Sequence, residues 1–343
     1  MRLELSISGS SNLIKISLAG RRFWCQKGKS MGKKKSSTER HNQMILIKRC
    51  IPLYIMMIPG MVYLFINNYI PMAGIVVAFK KYNVRNGIFG SPWCGLDNFV
   101  YLFKKDAFII IRNTFCYNIA FIIVNLILGV AVAIMISDVK NKLAKKFYQS
   151  AVLLPFLISI VIVSYIVFAF LSAENGLINN SILKPLGKEA IGWYAEKKYW
   201  PFILIFVNSW KSLGYGCLLY IAAIAGIDKE MYEAAELDGA TKWQEIWYIT
   251  IPNLVPTMIT LVLLSIGRIF YSDFGLFYQV PQNSGSLYDV TNTIDTYVYR
   301  ALTSTGGIGR SSAACVLQSF VGFALIMIAN GVVRKISKEN AIF

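Results

Sequence analysis

The chain has 343 residues but only one histidine, His41, and only 18 acidic residues against 35 Lys and Arg. One imidazole excludes a metal site built from several histidines. Because His41 lies in a polar segment, a His-dependent catalytic triad is also disfavoured. The six cysteines show neither a Cys-x-x-Cys pair nor a framework spacing. These scarcities exclude most classes of enzyme, and we expect neither a catalytic residue nor a metal ligand.

Charge of either sign is scarce as well. Charged residues make up 15% of the chain and hydrophobic residues 55%, whereas soluble proteins carry about 25% charged residues because their surface must be hydrated. The composition therefore predicts an integral membrane protein. In a soluble protein the basic excess would suggest a nucleic-acid partner, but here the basic residues cluster between apolar runs, as they do in membrane proteins. Nucleic acid is therefore not expected.

Two regions differ in composition. Residues 1–49 hold 12 Lys and Arg and two acids, without an apolar run of signal-peptide length. We predict a basic cytoplasmic N-terminal arm that is disordered. Met31, followed by Gly-Lys-Lys-Lys, is typical of a bacterial start, so residues 1–30 are expected to be an added extension or part of that arm. Residues 50–343 form the membrane domain.

Six apolar stretches in residues 50–343 each meet the requirement of about 20 residues for crossing a bilayer. They are Ile51–Phe79, Phe108–Ser137, Tyr148–Ala173, Pro201–Ile227, Leu254–Tyr271 and Ser312–Val333. The first contains three prolines and is expected to be kinked or broken near one of them. With the N-terminus inside, 21 Lys and Arg fall on the cytoplasmic side and 11 outside, so both termini are predicted to be cytoplasmic. The predicted fold class is all-α and multi-pass.

Three basic residues, Arg112, Lys211 and Arg268, fall within or at the edge of these spans, and no acidic residue does. A charge at the bilayer centre costs at least about 2.5–3.5 kcal/mol, so it must face protein or a water-filled cavity. Arg112 lies near the outer end of its span, where its side chain can reach the interface. The deeper Lys211 and Arg268 are better candidates for a polar pathway.

The segment between the fourth and fifth spans, residues 228–252, carries six acids and two bases. Its residue pattern predicts two short helices. Asp228 can cap the first, Gly239 ends it, and Thr241 caps the second with Gln244 in the capping-box position. An acidic cytoplasmic element with small and aromatic side chains suggests a protrusion that docks in a groove of another protein. A merely solvated loop is the alternative.

Glu233-Ala234-Ala235, then Gly239, then Ile249-x-Ile251-Pro252 resembles the EAA–G–I–LP motif of ABC-importer permease subunits, with Ile251 in place of the usual Leu. The resemblance implies a type I importer permease fold of the MetI-like class, in which residues 233–239 form a coupling helix that docks in a cleft of a separate ATPase subunit. The residues then expected to couple the chain to the ATPase are Glu233, Ala234, Ala235, Asp238, Gly239, Ile249 and Pro252.

A narrower resemblance covers roughly residues 45–343. Gly95-Leu96-Asp97-Asn98-Phe99 resembles the G-L-x-N-F element of sugar permeases of the maltose-transporter (MalF-like) type. Segments 91–93, 273–279, 294–300 and 333–335 are similar to the LplB-like branch, which is associated with importing oligosaccharides derived from polysaccharides. This implies a permease in the bacterial cell membrane that carries oligosaccharides by alternating access.

The chain is not expected to hydrolyse ATP itself. Gly28-Lys29-Ser30 mimics the end of a P-loop, but Phe23 stands where the required glycine would be. No cofactor is therefore expected in this chain, and ATP and Mg are expected to be bound by a partner. The resemblance implies two ABC ATPase subunits, a second permease in a heterodimer, and an extracellular solute-binding protein.

A sugar site needs aromatic platforms beside polar groups, and the fourth and fifth spans supply both. The residues expected to line the substrate path are Asn208, Trp210, Lys211, Tyr215, Arg268, Tyr271 and Phe274. Lys211 and Arg268 would favour an acidic sugar. Two alternatives remain: aromatics at span ends often form interfacial belts, and intramembrane cations often pair with backbone carbonyls or a partner chain.

Other functions also remain open on the residues alone. One is a permease for another small solute, such as an amino acid or an ion. Another is a non-transporting membrane scaffold or sensor whose acidic segment recruits a cytosolic partner. A membrane enzyme is disfavoured because no acid pair, Ser/His set or metal cluster lies in a span.

Overall fold

The computed structural model describes residues 6–7, 13–18, 21–26, 37–100, 107–303 and 307–336, with side chains over residues 51–100, 108–303 and 307–335. The chain divides into two compact units, Met1–Ile70 and Pro71–Phe343.

The first unit contains a small antiparallel sheet and a long helix. Strands β1 (Ser6–Ile7), β2 (Leu13–Leu18) and β3 (Arg21–Gln26) pair in the order β1-β2-β3. Helix α1 covers Ser37–Leu64, and a π-helical turn follows over Phe65–Tyr69. Apolar and polar residues alternate over much of β2, as is typical of a strand. Most of the basic arm predicted over residues 1–49 lies outside the residues that the structure describes with side chains, so its disorder stays a prediction.

The second unit is helical. The elements after the π turn are α2 (Ile70–Met72), a 3-10 helix (Ala73–Phe79), α3 (Gly87–Gly90), α4 (Asp97–Val100), α5 (Ala107–Ser137), α6 (Lys142–Leu157), α7 (Ile160–Leu171), a π turn (Asn179–Leu183), a 3-10 turn (Lys197–Tyr199), α8 (Trp200–Ala225), α9 (Lys229–Leu237), α10 (Lys242–Glu245), a π turn (Ile246–Thr250), α11 (Ile251–Ile266), α12 (Phe274–Gln279), a 3-10 turn (Gly285–Leu287), α13 (Tyr288–Thr291), α14 (Ile294–Thr303) and α15 (Ile308–Ile336). The prediction of an all-α membrane domain is confirmed.

Within the described residues five helices are long and apolar enough to cross a membrane, and there are six when the bent pair α6 and α7 counts as one span. The five are Ile51–Phe79, Phe108–Ser137, Lys197–Ala225, Lys242–Ile266 and Ile308–Lys335. The third span was expected to run from Tyr148 to Ala173, but it bends by 93° between α6 and α7. Pro155 lacks an N–H for the last turn of α6, and Ile158 and Ser159 have extended backbones, with ψ of 132° and 140°.

Small residues let the spans approach closely. A Cβ added to Gly214 of α8 would lie 2.3 Å from the carbonyl oxygen of Val152 in α6. A Cβ on Gly129 of α5 would lie 3.1 Å from the ring of Tyr220 in α8. Tyr220 belongs to a buried core that also contains Ala133 of α5. In membranes, where lipid is as apolar as the protein core, close packing of this kind drives helix association.

The G-L-x-N-F element closes the end of the first span. The Asn98 side-chain nitrogen donates to the carbonyl oxygens of Ala78 and Lys80, at 2.9 and 3.0 Å. The Phe99 ring packs on Phe79, with centroids 5.3 Å apart. Gly95 adopts a φ of +59°, which favours glycine. The motif therefore supplies donors to carbonyls left open at the C-terminal end of the 3-10 helix.

The loop between the fifth and sixth spans is anchored to the second and sixth spans. Asp295 in α14 accepts hydrogen bonds from the backbone of Ser272, at 2.6 Å, and from the side chain of Gln318 in α15, at 3.3 Å. Asn113 in α5 donates to the carbonyls of Asp289 and Asn292, at 2.9 and 3.1 Å. These contacts hold α12, α13 and α14 in place against the spans.

Candidate functional site

The segment with the EAA-type motif, residues 228–252, folds as predicted into two helices. We call it the coupling segment. Helix α9 ends in a Schellman motif: the N–H of Gly239 donates to Glu236, at 3.1 Å, and the N–H of Ala240 donates to Ala235, at 2.9 Å. Gly239 has a φ of +79°, a conformation that other residues rarely adopt. Asp228 stands at the N-cap, but its side chain makes no capping hydrogen bond.

The second helix begins with the predicted capping box. Thr241 is the N-cap of α10, and its backbone N–H donates to the side-chain oxygen of Gln244 at 2.7 Å. The chain then passes without a loop through the π turn at Ile246–Thr250 into α11. The coupling segment is therefore continuous with the fifth span, and Pro252 stands in the first turn of α11.

The surface of the coupling segment is uncovered. Glu233, Ala234, Asp238 and Gly239 are exposed, while Ala235 and Ile249 are partly buried. Large side chains also point outward, among them Leu237, with 89% of its surface exposed, and Tyr248, with 79% exposed. A depression of about 310 Å³ lies between the two helices, and its lining includes Ala235, Gly239 and Tyr248. An exposed protrusion with a notch of this size suits contact with another protein.

One lysine joins the two helices of the coupling segment. Lys242 Nζ lies 2.8 Å from Glu236 Oε1 of α9 and 2.8 Å from Glu245 Oε2 of α10. The hydrogen bonds to the two carboxylates raise the pKa of Lys242, and the bond from Lys242 lowers the pKa of Glu236. No ion pair involves Glu230 or Glu233 within the described part of the chain, so those acids remain available to a partner.

A second side-chain contact in the coupling segment is not evident from the sequence. The hydroxyl of Tyr232, in the middle of α9, lies 2.9 Å from Thr250 Oγ1. Thr250 is buried, with 4% of its surface exposed, and it is the last residue before α11. No sequence motif marks this pair, and only the fold brings the two residues together.

Lys211 sits at the break in the third span. Its ammonium donates to the carbonyl oxygens of Phe156, at 3.2 Å, and of Ile158, which are left open where α6 ends. The ring of Tyr215, one turn further along α8, stacks on Phe156 with centroids 5.4 Å apart. Lys211 therefore pairs with backbone carbonyls, which is one of the alternatives that the sequence left open for an intramembrane cation. This pairing is compatible with a role in the substrate path.

Helical periodicity divides the four predicted residues of α8. Asn208, Lys211 and Tyr215 share one face, since they are spaced by three and four residues. Asn208 Oδ1 accepts a hydrogen bond from Asn125 of α5 at 3.2 Å. Trp210 lies on a different face, in register with Phe202 and Phe206, whose surfaces are 75% and 70% exposed. The structure brings the first three together and separates Trp210 from them.

The three predicted residues near the end of the fifth span lie in successive turns. Arg268 is exposed after the end of α11, and within the described residues its side chain forms no ion pair. The Tyr271 hydroxyl lies 2.8 Å from Ser319 Oγ of α15. Phe274 begins α12, and a Cβ on the adjacent Gly275 would lie 2.6 Å from Ile160 Cγ2, at the start of α7. Thus α12 reaches the same break that Lys211 contacts from α8.

Sequence reasoning missed an aromatic cluster around Phe274. Its ring lies 4.8 Å from that of Tyr278 and 4.7 Å from that of Tyr299 in α14, centroid to centroid. Beyond it, Arg300 donates to the side-chain oxygens of Asn292 and Asn283, at 2.6 and 2.9 Å. Partial burial lowers the pKa of Arg300. The two tyrosines lie inside the segments that resemble the LplB-like branch, which was the only signal for them.

No group of three or more His, Cys, Asp and Glu side chains that could hold a metal ion occurs in the part of the chain that the structure describes.

Comparison with known proteins agrees with this geometry. The family model described as binding-protein-dependent transport system inner membrane component matches residues 108–338. The chain is 34% identical over 292 residues, 84% of its length and 89% of the relative's, to the polygalacturonan/rhamnogalacturonan transport system permease protein YteP of Bacillus subtilis (strain 168). It is 32% identical to Protein LplB of the same organism, over 87% of this chain and 93% of that one.

A solved structure is also similar. It is described as the crystal structure of a bacterial ABC transporter involved in the import of the acidic polysaccharide alginate. One of its chains is 32% identical to this one and superposes with a TM-score of 0.78, over 86% of this chain and 99% of that chain.

Proposed function

Since this chain belongs to the family of binding-protein-dependent transport system inner membrane components, we propose that it carries acidic oligosaccharides across the bacterial cytoplasmic membrane. It is a transport permease and not an enzyme, as the sequence predicts. A non-transporting scaffold or sensor does not agree with this family.

One observation carries the proposal of an acidic cargo. Within the described residues Arg268, at the edge of the fifth span, forms no ion pair with a carboxylate, whereas the ammonium of Lys211 already bonds to two backbone carbonyls. An unneutralised cation at membrane depth is costly unless it faces water or a ligand of opposite charge. The names of two relatives agree, since one refers to polygalacturonan and the solved transporter to the acidic polysaccharide alginate.

The aromatic side chains suit the rest of an oligosaccharide. The cluster of Phe274, Tyr278 and Tyr299 offers rings against which the flat C–H faces of sugar units pack. Tyr215, stacked on Phe156, offers another. In this proposal Arg268 binds the carboxylates and the aromatics bind the rings, while Lys211 mainly holds the break in the third span.

The energy comes from partner subunits. We propose that two ABC ATPase subunits bind ATP and Mg. This chain pairs with a second permease subunit, and each of the two permeases presents its coupling segment to one ATPase. An extracellular binding protein delivers the sugar. ATP-driven closure of the ATPases then moves the coupling segments and turns the cavity outward. For cargo to be coupled to this cycle it must bind the two states with different affinity.

The test is uptake into proteoliposomes that contain both permeases, the ATPases and the binding protein. The probes are trigalacturonic acid and galactotriose, which differ in their carboxylates. We expect Arg268→Met to lower uptake of the acid by about tenfold, as one charge-assisted contact predicts, and to leave any galactotriose uptake unchanged. Lys188→Met, at an exposed lysine of the loop before α8, is the matched control. Equal loss for both sugars, or uptake of galactotriose alone, would contradict the acidic cargo.

A further inference from the structure

We propose that Tyr232 and Thr250 are positioning residues of the transport cycle, forming a strut that makes the coupling helix α9 and the fifth span α11 move together. The inference rests on the permease function above. It concerns two residues that the EAA-type motif does not specify, one just before Glu233 and one at the variable position between Ile249 and Ile251, whose hydroxyl groups lie 2.9 Å apart.

A strut is needed because the helix backbone between α10 and α11 bends easily. The turn at Ile246–Thr250 is π-helical, a wider form that occurs mostly as local bulges at functional sites. Pro252 and Pro256 follow in α11. Pro256 lies inside α11 and lacks the N–H that would bond to the carbonyl of Pro252. Helices bend at such places.

The rest of the coupling segment does not replace the strut. Between α9 and α10 the chain passes through Gly239, whose backbone is permissive. The ion pair of Lys242 with Glu236 joins α9 to α10, but both side chains are more than half exposed, and exposed ion pairs are weak. Neither connection reaches α11. In the described residues the Tyr232–Thr250 bond is the side-chain hydrogen bond that joins α9 directly to the end of the π turn.

The burial of Thr250 makes the contact well suited to transmit motion. Thr250 is 4% exposed, and its hydroxyl can donate to the carbonyl of Glu245 at 3.4 Å while it accepts from Tyr232. Separating a buried hydroxyl from both its hydrogen-bond donor and its acceptor costs free energy. Displacement of α9 by an ATPase is therefore passed to the first turn of α11. That helix has 16 residues and is about 24 Å long, and it leads to Arg268.

The experiment measures this transmission without any sugar. Ser265→Cys, in the last turn of α11, is introduced into a cysteine-free chain within the full complex. Its alkylation rate by a maleimide is measured with and without ATP and vanadate, in the presence of the binding protein. We expect a several-fold nucleotide-dependent change in the parent complex. Tyr232→Phe or Thr250→Val, each of which removes one hydroxyl, should abolish most of this change.

Three controls make the result specific. Thr250→Ser keeps a hydroxyl and should keep the change. Thr257→Val removes from the same helix a hydroxyl for which no hydrogen bond is found in the described residues, and it should also keep the change. Copurification of the ATPases with each variant shows that assembly is intact. If both hydroxyl-deleting variants retain the full nucleotide-dependent change, or if the parent complex shows none, the strut is overturned. Failure of acidic sugars to be transported leaves this readout unaffected.

Discussion

The hydroxyl of Tyr232 lies 2.9 Å from Thr250 Oγ1 and joins two residues that are 18 apart in the chain. Between them lie the Schellman turn at Gly239, the capping box at Thr241 and the π turn. The coupling segment is thus a closed unit in which a helix, a turn and the start of a span are held by side-chain contacts. This gives a physical reason for the fixed spacing of the EAA-type motif, because an insertion would separate these contacts.

Gly239→Ala should weaken coupling through backbone strain. A Cβ at this position would meet nothing within 4 Å, but φ is +79°, and the left-handed conformation costs other residues about 1–2 kcal/mol. We expect the end of α9 to loosen and ATPase stimulation by loaded binding protein to fall several-fold. Gly187→Ala is the matched control, since its φ is +69° with open space around it in an outer loop. Equal effects of the two variants on stimulation would contradict the account.

Gly214→Ala should destabilise the packing of α6 on α8. The added Cβ would lie 2.3 Å from Val152 O and 2.7 Å from Leu153 Cα, which are backbone atoms that cannot rotate away. Overpacking of this kind costs about 1–3 kcal/mol. Gly216→Ala, two residues further along α8 and with no atom within 4 Å, should leave stability unchanged or raise it. The measurement is the midpoint of thermal unfolding of the two variants in detergent. Similar midpoints for both would contradict the close contact between α6 and α8.

Lys211→Met and Arg268→Met should have different consequences. Lys211 donates to two carbonyls at the break, so its loss leaves them unpaired at a cost of about 1–3 kcal/mol each where they are buried. We expect a lower unfolding temperature and a reduced uptake of every sugar. Arg268→Met should leave the unfolding temperature unchanged and reduce uptake of acidic sugars alone. The combined measurement of unfolding and uptake distinguishes the two roles, and identical behaviour of the variants would contradict the division.

The Lys242 ion pairs should be insensitive to pH in the cellular range. Hydrogen bonding to Lys242 lowers the pKa of Glu236, so that carboxylate's stabilising contribution is present at neutral pH and is lost only as pH falls through the lowered pKa. The pKa of Lys242 is raised, so its contribution is lost only as pH rises through the raised value. We therefore expect coupling to stay constant from about pH 5.5 to 9. A decline of coupling inside this window in wild type that is absent in Lys242→Gln would contradict the prediction.

Much of this arrangement could be predicted from the sequence because the signals are local. The second span matches its predicted bounds, Phe108–Ser137, since its apolar run ends at charged or polar residues. Gly239 and Thr241 end and begin helices as their chemistry requires. Local residue patterns of this kind also identified the coupling segment.

What could not be predicted depends on contacts between distant residues. The apolar run from Tyr148 to Ala173 is continuous, so hydropathy alone cannot reveal the 93° bend that Lys211 contacts from another helix. The aromatic cluster joins residues of α12 and α14, and the Tyr232–Thr250 bond joins α9 to the end of the π turn.

In our proposal the coupling segment links this permease to an ATPase during import of an acidic oligosaccharide. The most direct measurement is ATP hydrolysis by the reconstituted complex with binding protein, with and without trigalacturonic acid. We predict that the sugar stimulates hydrolysis in the wild type and in Glu189→Lys, which reverses an exposed acid of an outer loop. Stimulation should be absent in Glu233→Lys, which reverses an exposed acid of α9. Absence of stimulation in the wild type, or full stimulation in Glu233→Lys, would contradict the account.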